Sequence, residues 1–522
     1  MILPALLLSL GAPGAGPVPP PVDVRLVVVI TVDQLRGDYL ARWAPLYTGA
    51  LRRFNTKGAV FPNARQDHAM TETAPGHATI LSGRPPASTG IVSNVKGVPD
   101  AEAPLVEGPD GVPGASPRRF NGSTLADWLL AKDPQTRILS VSKKDRGAIL
   151  PIGRQKTNVY WWARGMFTTS TWYRDSLPPW VRQWNGRWTA GAEQLAGGAW
   201  TPLLARDKYA APDTVPYPVG RRDVAFPHAY PGDGLNLSAF AEAFPLMDSL
   251  TLDFALAGVR ELKLGKRAKP DLLAVSLSTT DAIGHAFGPD SRELQDMVLR
   301  VDLWLGRFLD QLEGIVGKDK LVVVLTGDHG VQSFPEVPRA AGRSGGRAWP
   351  TSVLAEAQQA LTTRLGRPVA LDFENGLLMT DVAALKTAGI DTDSLAAALA
   401  AGIAADSAVS LVFTPKTLAA APASDEQARL WRRTIPPAQG WLVAANAKLG
   451  WIWASRPGGT THGTTNVPDM NVPVAFLGKW ITPAVHQRIV TTEDIAPTLA
   501  TLLAADPSEE LAGKPIPEVL PK

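Results

Sequence analysis

The chain has 522 residues, 45% of them hydrophobic and 19% charged, with a formal net charge of +3. This is ordinary globular composition for a chain long enough to bury a large core, and it implies neither disorder nor a membrane-embedded protein. So small a net charge gives no ground for expecting a nucleic-acid-binding module. The absence of cysteine excludes disulfides, thiolate metal sites and cysteine nucleophiles together.

Residues 1–10 (MILPALLLSL) form a short apolar run, followed by Gly-, Ala- and Pro-rich sequence as far as Pro21. The run reads as an export signal that lacks the usual basic start, and it is too short to span a bilayer. A disordered tail or a misplaced start codon are the other readings. Residues 1–22 are therefore set apart from a catalytic domain over 23–522, which is expected in the periplasm or outside the cell. No other stretch is long and apolar enough for a transmembrane segment.

Residues 25–32 (RLVVVITV) are short, β-branched and continuously apolar, as a strand buried on both faces must be. Similar runs lie at 137–142, 271–278, 320–326 and 472–478, and helical periodicity lies at 246–264 and 294–312. Strands alternating with helices predict an α/β protein: a doubly wound, mostly parallel sheet flanked by helices. Two stretches break the alternation. Residues 155–235 hold Trp161, Trp162, Trp172, Trp180, Trp184 and Trp188; residues 335–455 begin with a Gly/Arg-rich loop and continue through an Ala-rich helix at 395–405. Both are candidate cap insertions at the active-site edge of the sheet. The tryptophans are expected to form the core of the first, with stacking on a substrate as the alternative.

Several apolar runs end in metal-ligand residues. Asp33 follows the first strand, Asp281-x-x-x-His285 the third and Asp328-His329 the fourth, and His462 stands near the C-terminus. Only seven histidines exist in the chain, and three of them are in this set. Carboxylate and imidazole are the donor set of zinc, and a sheet gathers distant residues into one site at its strand ends. Thr73, in Thr71-Glu72-Thr73-Ala74-Pro75-Gly76-His77, is placed by the proline at the start of a helix, where backbone N–H groups favour phosphate. A threonine hydroxyl becomes a useful nucleophile when a metal holds it as alkoxide; alone it reads as an ordinary N-cap.

Taken together, Val32-Asp33-Gln34-Leu35-Arg36, Thr73-Ala-Pro-Gly-His77, Ser142-Lys143-Lys144-Asp145-Arg146, Thr280-Asp281-Ala-Ile-Gly-His285, Gly327-Asp328-His329-Gly330 and His462-Gly-Thr resemble the alkaline phosphatase superfamily. More narrowly they resemble its phosphate-irrepressible members, from about residue 25 to the end. The resemblance implies two Zn2+. One would be held by Asp281, His285 and His462, the other by Asp33, Asp328, His329 and the Thr73 oxygen. It also implies that Asn94, 21 residues after Thr73, binds phosphate, as do Lys144 and Arg146.

Side chains two apart in an extended segment point the same way, so Lys144 and Arg146 are expected to converge on one anion, with Lys143 turned out to solvent. The three aspartates offset three of the four charges of two zinc ions, leaving a pocket suited to a phosphate dianion. His77 is expected in helix packing or in support of the ligands, and His68, His228 and His486 as structural. The implied activity is hydrolysis of small phosphate monoesters through a covalent phosphothreonine, with Thr73, Asn94, Lys144 and Arg146 as the catalytic groups. The alternative is a phosphodiesterase or nucleotide pyrophosphatase of the same superfamily. A non-catalytic metal- or phosphate-binding protein fits less well, because no ligand is missing. Nor does a sulfatase fit, since Thr73 stands where a Cys or Ser would be converted.

Overall fold

In the computed structural model, which describes residues 23–214 and 224–521, all seven residues of strand β1 (Leu26–Val32) are buried. Alternate side chains serve opposite faces. Leu26, Val28, Ile30 and Val32 enter one hydrophobic core, and Val27 and Val29 the other. That division is why the strand reads as an unbroken apolar run. The apolar N-terminal run at 1–22 lies outside the described residues.

Nine further strands complete the main sheet: β2 (Ala59–Phe61), β3 (Leu105–Val106), β4 (Ile138–Ser142), β5 (Asn158–Ala163), β6 (Met166–Ser170), β7 (Asp271–Leu277), β8 (Leu321–Thr326), β9 (Val474–Gly478) and β10 (Ala484–Val485). Their spatial order is β10-β2-β9-β8-β1-β7-β4-β5-β6-β3. The five central strands, β8 through β5, run parallel. β9 and β6 are antiparallel to their inner neighbours. Each of the five expected strands is present, and the sheet is mostly parallel with helices on both faces, as the sequence predicts.

The helices Leu246–Glu261 and Arg292–Val316 cover the Ile30 face, and Thr73–Ile80, Leu125–Lys132 and Ile495–Leu503 cover the other. Register then decides where the site lies. Thr31 pairs with Thr326, Val32 with Leu277 and Ser142 with Ser276. Four neighbouring parallel strands therefore end level, and the residues just beyond them share one sheet edge.

The two irregular stretches are built differently. Residues 158–170 are β5 and β6 of the main sheet itself, and the helix Pro179–Leu195 packs on it. Trp162, Trp184 and Trp188 belong to the same core as Ile30, and Trp184 meets Phe254 edge-on at 5.2 Å. These rings are interior packing, not a shelf for substrate. Residues 335–455 instead form a separate antiparallel sheet, in the order Asp372–Glu374, Leu377–Met379, Trp441–Ala447, Val409–Phe413. It has its own core around Leu378, Leu399 and Val443. A further cluster, including Met70, Val92, Leu377 and Trp431, joins it to the main body. Among the described residues no helix is long and apolar enough to cross a membrane.

Ile30 sits fully buried at the centre of β1. Ile30→Ala is expected to lower the unfolding free energy by about 2–5 kcal/mol, read from the urea midpoint at unchanged slope. A loss below about 1 kcal/mol would contradict its place in the close-packed core.

Candidate metal centre and active site

Level strand ends deliver the site's first groups. Asp33 follows β1 directly, Asp328 comes two residues after β8, and Lys144 two residues after β4. Beyond β7 the chain turns into the helix Thr279–Phe287, whose first turn carries Asp281 and whose last carries His285, one above the other at i and i+4. His462 arrives on a loop. Asp281, His285 and His462 form one group able to hold a cation; Asp33, Asp281 and His329 form another, with the donor atoms of each group within 4.8 Å of one another. Asp281 thus stands in both, and Asp328 reaches the second through His329 Nε2 at 3.6 Å.

The three imidazoles share one arrangement. His285 Nδ1 is 2.7 Å from the Thr460 carbonyl, His329 Nδ1 2.9 Å from that of Gly330, and His462 Nδ1 2.7 Å from that of Thr71. A carbonyl only accepts, so each Nδ1 carries a proton and each Nε2 is turned toward the acids. Backbone carbonyls that fix ring orientation and tautomer in this way are the usual support of metal-ligating histidines. Both Asp33 oxygens are buried without a well-aligned hydrogen-bond donor, as is Asp328 Oδ2. Buried carboxylates of this kind are costly unless a cation faces them. The donor set, all carboxylate and imidazole, fits zinc.

Charge is held by mutual compensation. Burial and the neighbouring Asp281 work against ionising Asp33, yet Lys144 and His329 outweigh them and hold it well below the usual carboxylate range. Burial likewise opposes charge on Asp281, but His285 and Lys144 pull it down. His329 is disfavoured as a cation by burial, but the carboxylates of Asp328 and Asp33 push it up to about 9. His462, stacked on His329 with ring centres 3.5 Å apart, is driven the other way by burial and by the charges of His329 and His285.

Thr73 is buried as the first residue of the helix Thr73–Ile80, with Glu72 as an extended N-cap. The predicted helix start is therefore correct to within a residue. Thr73 Oγ1 is 3.4 Å from His329 Nε2 and accepts from Lys144 Nζ at 3.2 Å. The same ammonium lies 2.6 Å from Asp33 and 2.7 Å from Asp281. Gly76 lets this helix approach: a Cβ there would stand 2.2 Å from the Asp328 carbonyl oxygen. Asn94 Oδ1 accepts from the Ala74 N–H at 2.9 Å, which fixes its side chain at the start of this helix.

Two expectations about the basic run need correction. The chain is not extended through it, because Asp145–Ile149 is helical with Lys144 as the N-cap. Strand alternation therefore does not align Lys144 with Arg146. Arg146 meets Asp145 at 3.5 Å and lies near enough to Lys144 to oppose its charge. Lys143, turned away from the site, is half-buried and does not simply extend into solvent. Its ammonium donates to the Glu242 carbonyl at 3.2 Å, and burial lowers its pKa.

Some participants were not read from the sequence at all. Gln34 adopts φ +66°, donates its backbone N–H to Asp328 Oδ1 at 3.1 Å and its side-chain amide to Asp281 Oδ1 at 2.8 Å. It thereby ties together acids 47 residues apart. Thr71 fixes His462 through its carbonyl and accepts the Gly463 N–H at its hydroxyl, 3.2 Å away. Adjacency to Asp33 and Thr73 was the available signal.

The remaining histidines have structural partners. His77 Nδ1 lies 2.9 Å from the Thr73 carbonyl and 3.2 Å from Asp328, with Nε2 2.8 Å from Ser276, so it braces both the helix that begins at Thr73 and Asp328. His228 meets Glu293 at 3.1 Å, and His486 stacks on Phe61. His68 is fully buried beside Gln66.

Fold and site together define an alkaline phosphatase-like hydrolase of the phosphodiesterase/pyrophosphatase superfamily. The chain belongs to the type I phosphodiesterase / nucleotide pyrophosphatase family, whose model matches residues 27–341. It is 30% identical over 523 residues to alkaline phosphatase PhoV of Synechococcus elongatus, covering 95% of this chain and 93% of that protein. It is 30% identical to alkaline phosphatase PhoK of a Sphingomonas species, covering 94% and 90%. The crystal structure of wild-type alkaline phosphatase PafA superposes with a TM-score of 0.86 at 27% identity, covering 97% of this chain and 100% of that one.

Burial lowers the His68 pKa from 6.5 to about 3. Between those values the unfolded chain binds a proton that the native state refuses, so stability falls as pH drops from 6.5 toward 3. Each unit removes up to about 1.4 kcal/mol. His68→Gln is expected to make the acid side of a Tm-against-pH curve shallower; an unchanged slope would contradict this role.

Proposed function

We propose that the protein is a phosphomonoester hydrolase, an alkaline phosphatase that works through a covalent phosphothreonine on Thr73 at a two-zinc site. The observation that carries the reading is the position of Lys144, whose ammonium is 3.2 Å from Thr73 Oγ1. A monoester brings more anionic oxygen to that point than a diester does, and preorganised charge acts most strongly where charge concentrates. The names of the relatives, alkaline phosphatases PhoV, PhoK and PafA, support it.

Asp281, His285 and His462 would hold one zinc; Asp33, Asp328, His329 and Thr73 Oγ1 the other. When bound, the pair supplies Lewis-acid charge to the attacking and departing oxygens. Thr73 Oγ, its hydroxyl proton released to solvent, attacks phosphorus in line. The new O–P bond forms as the bond to the alcohol breaks; the electron pair leaves with the alcohol oxygen, which takes a proton from solvent. Water then attacks the phosphothreonine: its oxygen bonds to phosphorus as the Oγ–P bond breaks, and the proton it loses is balanced by one returned to Thr73 Oγ, releasing inorganic phosphate and restoring the hydroxyl. Lys144 donates to Thr73 Oγ and lowers the cost of its negative charge, while the Asn94 amide and Arg146 engage the phosphoryl oxygens. The apolar N-terminal run supports export to the periplasm or beyond, where external phosphate esters are met.

The second reading, a diesterase or nucleotide pyrophosphatase, is favoured by the description of the matching family. Rates on an aryl phosphate and its bis-aryl diester separate the two, and the monoester is expected to be the better substrate. A preference for the diester would reverse the ranking.

Thr73→Ala is expected to cost roughly 10³-fold or more in kcat, and no phosphoryl group should then be trapped on the protein. Wild-type turnover in that variant would remove Thr73 as nucleophile. Lys144→Ala is expected to lower the monoester rate by about 10²-fold and the diester rate far less; equal losses would dissociate Lys144 from substrate choice. Chelation should abolish activity, zinc should restore it, and metal analysis should find two zinc ions per chain.

A further inference from the structure

The separate sheet of residues 335–455 sends one hairpin into the site. Asp372–Glu374 and Leu377–Met379 pair with Glu374 opposite Leu377, leaving the two-residue turn Asn375-Gly376. Both turn residues have positive φ, +44° and +95°, as Asn-Gly supplies readily in tight hairpins. The turn is pinned from behind by the Ala445 N–H, which donates to the Gly376 carbonyl at 2.8 Å.

Its tip is inserted. Asn375 Nδ2 donates to Glu72 Oε1 at 2.5 Å. The other oxygen of that fully buried carboxyl accepts the Asn94 backbone N–H at 2.8 Å. Glu72 is the N-cap of the helix that begins with Thr73. On the opposite side the Asn375 side chain rests on Gly463, where a Cβ would stand 2.4 Å from Asn375 Cγ. Gly463, at φ +108°, is glycine both for its backbone and for this contact.

We infer that Asn375 and Glu72 are positioning residues for phosphoryl binding: the hairpin tip clamps the Glu72 carboxyl, and Glu72 holds the backbone of Asn94 so that its amide faces the substrate. Neither residue needs to touch the phosphoryl group. The separate sheet is therefore part of the catalytic apparatus as well as a wall beside it. The inference rests on the reading of Asn94 as a phosphate ligand given above.

The test is a double-mutant cycle in the zinc-loaded protein. Asn375→Gly removes the amide and keeps a residue at ease with positive φ. It is combined with Asn94→Ala, and kcat/KM on an aryl phosphate is measured together with the inhibition constant of inorganic phosphate. Zinc content and Tm are followed in every variant. Asn375→Gly alone is expected to lower kcat/KM by about ten- to a hundredfold and to weaken phosphate inhibition, with zinc content unchanged. In the Asn94→Ala background the same change is expected to cost little, because the group it positions is gone. Equal cost in both backgrounds overturns the inference, since a general loss of structure is additive with Asn94→Ala. So does a silent Asn375→Gly beside a damaging Asn94→Ala, which leaves the proposed function standing. If Asn94→Ala itself is silent, the reading of Asn94 falls and the clamp with it.

Discussion

Burying several carboxylates within a few ångströms of one another is the constraint around which this protein is arranged. Asp33, Asp281 and Asp328 are all buried, and like charges in a protein interior persist only when cations or donors face them. Lys144 answers Asp33 and Asp281, His329 stands between Asp33 and Asp328, and His285 and His462 close on Asp281. The same arrangement of acids and imidazoles offers donor groups for divalent cations and, on the function proposed above, places Lys144 to meet a phosphoryl dianion. Stability and chemistry thus draw on one set of contacts.

The sheet makes such a cluster possible. Parallel strands that end level bring residues from positions 33, 144 and 328 side by side, each within two residues of a strand. Helix packing against both faces fixes those ends. A side chain carried by a long loop would need its own support; His462 shows this, held by the Thr71 carbonyl and the Gly463–Thr71 bond.

Much of this was legible in the sequence because doubly buried strands must be apolar throughout, so an aspartate at the end of Leu26–Val32 or Leu321–Thr326 stands out. What was not legible has equally physical causes. Alternation failed for Lys144 and Arg146 because the chain enters a helix at Asp145, and period-2 reasoning holds only within a strand. Lys143 is less solvated than its sequence suggests because the Glu242 carbonyl that receives it comes from a segment 99 residues away. β5, whose sequence is NVYWWA, looked like an irregular insertion because its aromatic weight hid an ordinary sheet strand. Gln34 carries no chemical signature; only its left-handed backbone and its two acceptors mark it out. The link from Glu72 to Asn375 spans 303 residues, beyond any local pattern.

The anchoring of His462 on Thr71 has a consequence for biogenesis. These residues are separated by 391 positions, and among the described residues β2 is paired by β9 and β10, both later still. β1 and β4 meet only through β7, which lies between them, and the group of Asp281, His285 and His462 lacks one wall until His462 has been made. The Asp281, His285 and His462 group therefore depends on a contact between distant parts of the chain. The group of Asp33, Asp281 and His329, by contrast, draws only on residues made earlier in the chain.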